Sequence, residues 1–273
     1  MAVNPILAPS FVLTVSGSDA SGCSGIQADN RALLTSGATP LNVISALTLQ
    51  TSETVESVEI VDAALVRLHL NRLLNTFPVG VIKAGMLCNS SIVRVLSDAL
   101  DTSSDVRLVL DPVIRATSGR LLLDGGGQEM LEKELIPKAF LLTPNMEELA
   151  ILGHVDAIDS EAKEKEVVDG IMSSGCQAVL VKGGHRSEFT ARDRLYFEDG
   201  IKDYSSNWID TQNTRGSGCA LASLIAGGLA TGESLLEAVN SAKKAMDLAP
   251  VSYTHLRAHE TDSYLVCRLL LEK

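Results

Sequence analysis

Residues 210–224, "DTQNTRGSGCALASL", place two glycines, a serine and a cysteine directly before an apolar, helix-like segment. Gly216 and Gly218 let the backbone turn its N–H groups inward. A helix starting there would add its positive dipole end, so with Ser217 between them the stretch can cradle an anion. A tight turn with a small buried thiol is the plainer reading of the same residues. Cys219 stands at the start of that helix, where the dipole is expected to lower its pKa and make it a proton acceptor. Lys182 follows the apolar "QAVLV" and precedes two glycines, a place for a phosphate-facing cation as well as for a solvated lysine. Asn145 and Glu148 lie in "TPNMEE". Acidic residues in a first helical turn ordinarily offset the dipole, but Glu148 is also placed to hold a magnesium-bound water. Asp111, before Pro112, reads as a turn residue or as a site carboxylate. Gln50 carries an amide that can both donate to and accept from a heterocycle. Taken together, these residues point to phosphoryl transfer.

The elements that must position them alternate between strand-like and helix-like. "FVLTVSGSD" reads as a strand, "GIQADNRALLTSGA" as a helix closed by Gly37, and "NVISALTLQ" as a second strand. Asp62 can cap "AALVRLHLNRLLN". "VGVIKAGML" and "VRLVLDPVI" are short apolar runs of the kind buried on both faces of a sheet. Then come a strand "FLLTPN", a helix from Glu147, a charged helix "SEAKEKEVVDGIMSSG" and a strand "QAVLVKGG". A hairpin "DRLYFEDGIKDYSS" turns at Asp199-Gly200, and the chain closes with the helix after Gly218 and a last helix, "GESLLEAVNSAKKAMDLA". This rhythm predicts an α/β fold: a mostly parallel, doubly wound sheet with helices on both faces. Ligands bind such sheets beyond the carboxyl ends of the strands. Those ends carry Gly17 to Asp19, Gln50, Gly85 and Met86, Asp111, Asn145, and Lys182 with Gly183.

Composition narrows the partners. Across 273 residues the net charge is -11 and aromatics are 4%, which argues against nucleic acid and anionic membrane. The five cysteines, widely spaced and without a C-x-x-C pair, are neither a disulfide framework nor a zinc site and suit a reducing cytosol. The first residues lack the pattern of a secretory signal, and no apolar run reaches membrane-spanning length, so a cytoplasmic protein is expected. The Walker A and G-x-G-x-x-G loops are absent, which leaves the Gly216 stretch as the route to phosphate.

In order along the chain, "VSGSDASGCSGIQAD", "ALTLQT", "KAGML", "DPVIRATSG", "LTPNMEEL", "VKGGH" and "DTQNTRGSGCALASLIA" resemble the motifs of hydroxymethylpyrimidine and phosphomethylpyrimidine kinases. These are thiamine-biosynthesis enzymes of the ribokinase-like superfamily, and the resemblance spans about Val12 to Ala249. It implies a three-layer ribokinase-like fold, one kinase domain over residues 1–250, commonly a homodimer, working with ATP and Mg2+. The implied reaction is phosphorylation of 4-amino-5-hydroxymethyl-2-methylpyrimidine and then of its monophosphate. By motif, Gly17, Asp19, Gln50, Met86 and Val113 resemble the pyrimidine pocket. Asp111, Asn145 and Lys182 resemble residues that hold ATP and its phosphates, with Glu148 for the metal. Gly216, Ser217 and Gly218 resemble the anion hole, with Cys219 facing the acceptor as the catalytic residue.

The chain departs from the family pattern at Arg215, a place often held by His, and at Cys23, usually Gly. Pyridoxal kinase, which shares very similar motifs, is the rival enzyme; a non-catalytic pyrimidine-binding protein is the rival of another class. From Val251 on, "VSYTHLRAHETDSYLVCRLLLEK" resembles the peptide produced when a reading frame enters sequencing-adapter DNA, so residues 251–273 are expected to be a non-native tail. A true final helix is the alternative, since Leu265, Leu269 and Leu270 have partly helical spacing.

Overall fold

The computed structural model describes residues 9–51, 54–103, 105–116, 118–183, 190–207 and 216–253. Arg215 and the stretch from Asp210 up to it therefore lie outside the described residues, as do residues 254–273 of the tail.

One nine-stranded sheet organises the chain, in the order β3-β2-β1-β4-β5-β6-β7-β8-β9. β1 (Phe11–Asp19) pairs in parallel with β2 (Thr39–Gln50) on one side and with β4 (Val79–Ala84) on the other. The parallel run continues through β5 (Arg107–Leu110), β6 (Ala139–Leu142) and β7 (Val179–Val181). β3 (Val55–Ile60) closes one edge antiparallel, and the hairpin β8 (Thr190–Phe197) and β9 (Gly200–Asn207) closes the other. The chain moves outward from β1 to β2, then returns to lay β4 on the far side of β1. The switch point between β1 and β4 is where an open α/β sheet leaves a crevice.

Alternating residues of the central strands feed two cores, which is why these strands read as continuous apolar runs. Leu13, Ile82, Leu108, Leu110 and Val179 face one core, shared with α2 (Ala63–Thr76), α3 (Ser90–Asp101), α5 (Met146–Leu152) and α6 (Glu161–Ser173). Val12, Val81, Val109, Leu141 and Leu180 face the other, shared with α1 (Gly25–Thr35), α7 (Ser217–Ala230) and α8 (Leu235–Tyr253). The result is the expected three layers. Its helices are ended as the sequence indicates: Asp62 accepts from the Ala64 N–H, and Gly37, at φ 79°, closes α1 with Ala38 N–H donating to the Leu33 carbonyl.

Several boundaries differ from expectation, two of them instructively. The β8–β9 loop is Glu198 and Asp199, because Phe197 pairs with Gly200; that glycine, at φ 137°, opens β9 instead of completing the turn. Helix α5 begins at Met146, since Asn145 caps it. Edge strand β3, helix α3, capped by the Asn89 side chain, and the short helix α4 (Gly125–Met130), capped by the Asp124 side chain, are further elements that strand-helix rhythm alone did not pick out.

Candidate active site

Because β1, β2, β4, β5, β6 and β7 run the same way, their carboxyl ends meet along one side of the sheet. There the structure gathers the candidates into two neighbouring groups.

The first group is built around the loop after β1. A bulge between Ser16 and Gly17 shifts the register with β2, and Gly17 lies so near Met86 that an added Cβ would sit 2.9 Å from its sulfur. Met86 and the half-buried Val113 belong to one small apolar cluster with Ala46 and Cys88, so both expected pocket walls stand together. Asp19 is buried, and its carboxylate holds the loop. Ser21 N–H and hydroxyl donate to Oδ1 at 2.8 and 2.7 Å, and Ser24 N–H and hydroxyl donate to Oδ2 at 2.9 and 2.7 Å. Burial opposes ionisation, but these donors and Gln50 hold the Asp19 carboxyl below its ordinary value. The Gln50 amide lies over the same loop, its Nε2 donating to Ser24 Oγ at 3.2 Å. With its hydroxyl turned to Asp19, Ser24 does not cap α1.

The second group lies beyond β5, β6 and β7. Lys182 Nζ donates to Asp111 Oδ1 at 2.8 Å and stands 3.9 Å from Glu148 Oε2. Thr143 Oγ1 donates to the same Asp111 oxygen at 3.2 Å. Burial works against the Asp111 charge, yet Lys182 and Lys83 hold its carboxyl below the usual range. Lys182 is correspondingly held above its ordinary value, burial notwithstanding, by Asp111 and Glu148. Glu148 goes the other way. Burial pushes it up to about 7, Lys182 pulling down and the Asp111 charge pushing further up. Asn145 and Glu148 also form a reciprocal capping box. Glu148 N–H donates to Asn145 Oδ1 and Asn145 N–H to Glu148 Oε2, each at 2.8 Å. The amide oxygen of Asn145 is thus engaged in starting α5.

The loop before α7 joins the two groups. Gly216 has φ 76° and is the N-cap of α7, with no side-chain cap on the helix. By contrast α2, α3, α5 and α6 each carry one. A helix start without a side-chain cap presents its positive dipole end in a form that suits an anion. A Cβ at Gly216 would lie 1.9 Å from the Cys23 carbonyl oxygen, so the two loops touch through backbone. A Cβ at Gly218 would lie 3.2 Å from Lys182 Nζ, which puts that ammonium beside the loop. Ser217 is exposed at its start.

Cys219 corrects an expectation. Burial pushes its thiol up to about 11; Lys83 pulls it down, but the Asp111 and Asp29 charges push it up. The helix dipole does not offset desolvation beside two carboxylates, so near neutral pH the group is a thiol. Sequence reasoning also passed over Lys83. It lies inside the quoted "VGVIKAGML", and a lysine in a run otherwise buried on both faces was the signal available.

A model of the phosphomethylpyrimidine kinase family matches residues 19–258. The chain is 36% identical over 239 residues to a hydroxymethylpyrimidine/phosphomethylpyrimidine kinase of Rhizobium meliloti, covering 88% of this chain and 90% of that protein. Its fold is similar to that of a phosphomethylpyrimidine kinase from Clostridium difficile, with a TM-score of 0.78, 32% identity and coverage of 88% and 99%. It is also similar to a pyridoxal kinase from Staphylococcus aureus in complex with pyridoxal, with a TM-score of 0.81, 27% identity and coverage of 90% and 89%. The arrangement is the ribokinase-like one. The chain is a phosphotransferase belonging to the phosphomethylpyrimidine kinase family.

Proposed function

We propose that the protein transfers the γ-phosphoryl group of ATP to 4-amino-5-hydroxymethyl-2-methylpyrimidine and then to its monophosphate. The observation that carries this reading is the contact between the loops. The surface of Gly17, Asp19, Gln50 and Met86, which we assign to the heterocycle, abuts through Cys23 and Gly216 a helix start without a side-chain cap, flanked by Lys182. In transfer, the acceptor oxygen bonds to phosphorus as the bond to the ADP oxygen breaks, and in the first step the hydroxymethyl proton passes to an oxygen of the transferred phosphoryl group or to water. Lys182 and the first N–H groups of α7 would face the charge on the transferring group. Gln50 would turn from Ser24 to the ring edge, while Met86 and Val113 hold its faces.

Asp111 and Glu148 suit Mg2+, which takes one or two carboxylates and fills its other positions with phosphate oxygens and water. They share one lysine, and Glu148 is left at about 7, so a divalent cation would supply positive charge that the site lacks. When bound, it would neutralise charge between the phosphates.

Cys219, held as a thiol, positions the acceptor and does not serve as its base. The monoester acceptor is largely dianionic near neutral pH and needs no base. We read the protein as a single-domain, cytoplasmic homodimer; the exposed Leu47, Leu49 and Ile60 on β2 and β3 support association, and the free cysteines Cys23, Cys88, Cys176 and Cys219 support the compartment.

A coupled ADP-release assay with the hydroxymethylpyrimidine, its monophosphate and pyridoxal tests the assignment. Turnover of both pyrimidines above pyridoxal is expected. Preference for pyridoxal would hand the site to the second reading, which the pyridoxal-bound structural relative favours. Binding without ADP release would leave a pyrimidine-binding protein.

A further inference from the structure

One charged pair sits wholly inside the protein, outside the groups just described. Lys83 on β4 and Asp29 on α1 are each 0% exposed at the side chain and meet at 2.8 Å between Nζ and Oδ1. Burying such a pair is a poor route to stability, because both charges lose their hydration. Nor is this one arranged to satisfy itself, since Asp29 Oδ2 is buried without a hydrogen-bond partner.

Its position explains it better. Lys83 shares the α1–α7 face of the sheet with Val81 and lies next to Val109 of β5, two residues before Asp111. Its ammonium reaches the end of its strand, where a Cβ at Gly85 would stand 3.0 Å from Nζ. Asp29 is tied to the phosphate loop's own helix, because Ser223 Oγ donates to its Oδ1 at 2.8 Å. Ser223 is four residues after Cys219 on α7, so the two share one helix face a single turn apart. The pair thus lies against the first turns of the uncapped helix.

We propose that Lys83 and Asp29 are positioning residues for phosphoryl transfer: a fixed dipole, fastened to α7 through Ser223, that sets the charge felt by Cys219 at the start of that helix. This rests on the reading of the Gly216 loop as the phosphate site. The groups facing Cys219 are Lys83 from β4, Asp29 from α1, Asp111 beyond β5 and Lys182 beyond β7, with the Gly25 N–H at the start of α1. Lys83 is held above its ordinary value against burial by Asp29, Cys219 and Asp111. Burial pushes the Asp29 carboxyl up, and Lys83 and Ser223 pull it back.

The dipole predicts opposite effects from its two ends, which mere loosening of the fold would not give. Removing the cation in Lys83→Met raises the Cys219 thiol further; removing the anion in Asp29→Asn leaves Lys83 uncompensated and lowers it. Iodoacetamide alkylation of the full chain, read at Cys219 by peptide mass spectrometry at one pH below the midpoint, reports this. After the partial offset from thiolate nucleophilicity, about threefold to tenfold slower reaction is expected for Lys83→Met and a similar acceleration for Asp29→Asn. The doubly neutral Lys83→Met/Asp29→Asn variant should fall between. If Lys83→Met does not fold, Asp29→Asn must still react faster than the double variant. Equal rates, or shifts of both single variants in one direction, overturn the proposal. Because the readout is alkylation and not turnover, failure of the proposed reaction would leave this result standing and separately visible.

Discussion

Replacing Glu148 with Gln should remove most of the pH dependence of stability in the metal-free, nucleotide-free protein between weakly acidic and weakly basic conditions. Burial and the Asp111 charge raise Glu148 from 4.5 to about 7 in the folded state. In that window the folded protein holds a proton that the unfolded chain has released, so unfolding releases a proton and stability falls as pH rises. Below the unfolded value the contribution is fully present; above the folded value it is gone. At 1.36 kcal/mol per unit the full effect is about 3 kcal/mol, an upper figure because Lys182 shares in the titration. Glutamine keeps an oxygen to accept from the Asn145 N–H, so the capping box survives without the titrating group. Urea unfolding of both proteins at about pH 5 and about pH 8 isolates Glu148, since other titrating groups cancel in the comparison. The wild type should lose about 2–3 kcal/mol more than the variant across that span. Equal losses would mean that Glu148 is ionised throughout, and that the two carboxylates do not compete for Lys182.

Lys182→Met, which keeps the stem and deletes the charge beside Gly218, should lower kcat by roughly a hundredfold or more while pyrimidine KM changes little; lost pyrimidine binding with normal saturated turnover would reverse the two halves of the site. Gln50→Met should raise pyrimidine KM about 5-fold to 150-fold, the equivalent of about 1–3 kcal/mol from an unpaired ring edge, and an unchanged KM would remove Gln50 from recognition. Gly216→Ala forces a Cβ to within 1.9 Å of the Cys23 carbonyl at φ 76°, so the melting temperature should fall by several degrees and both kinase steps should weaken; an unaltered melt would show the loop contact to be loose. With its thiol near 11, Cys219 should give no ionisation in the kcat–pH profile near neutrality, and Cys219→Ala should slow both steps by similar factors. Selective loss of the hydroxymethyl step would restore the thiol as its base.

The sheet was legible because two-sided burial leaves an unmistakable apolar run, as in residues 79–84 and 107–110, each ended by candidate site residues. Edge strand β3 was not, since "VESVEI" owes its pairing to β2 and carries little apolar signal of its own. Motif spacing brought Asp111, Glu148 and Lys182 into one candidate set, and the structure places them within a few ångströms of each other. The state of Cys219 could not be read that way. The dipole that would lower its pKa is visible in sequence, whereas the Asp29 and Asp111 charges that raise it come from 190 and 108 residues away, counting back from position 219. Asp19 was chosen as a pocket residue from its motif; the structure adds that four donors within five positions of it tie the loop through its carboxylate.

The bond from Ser223 to Asp29 spans 194 positions of chain. On a ribosome adding about 5–20 residues per second, Asp29 therefore emerges roughly 10–40 seconds before its last partner. During that interval β1, β2 and β4 can already pair, and Lys83 can find Asp29 across 54 positions. The inner face of α1, including Ala32 and Leu33, and the sheet residues Val81 and Val109 still wait for α7 to cover them. Until then these apolar side chains and the charged pair lack the cover that α7 gives them in the folded protein. When α7 packs onto that face it also brings Gly216 against the Cys23 carbonyl, so burial of the α1 face and assembly of the candidate phosphate loop are one event.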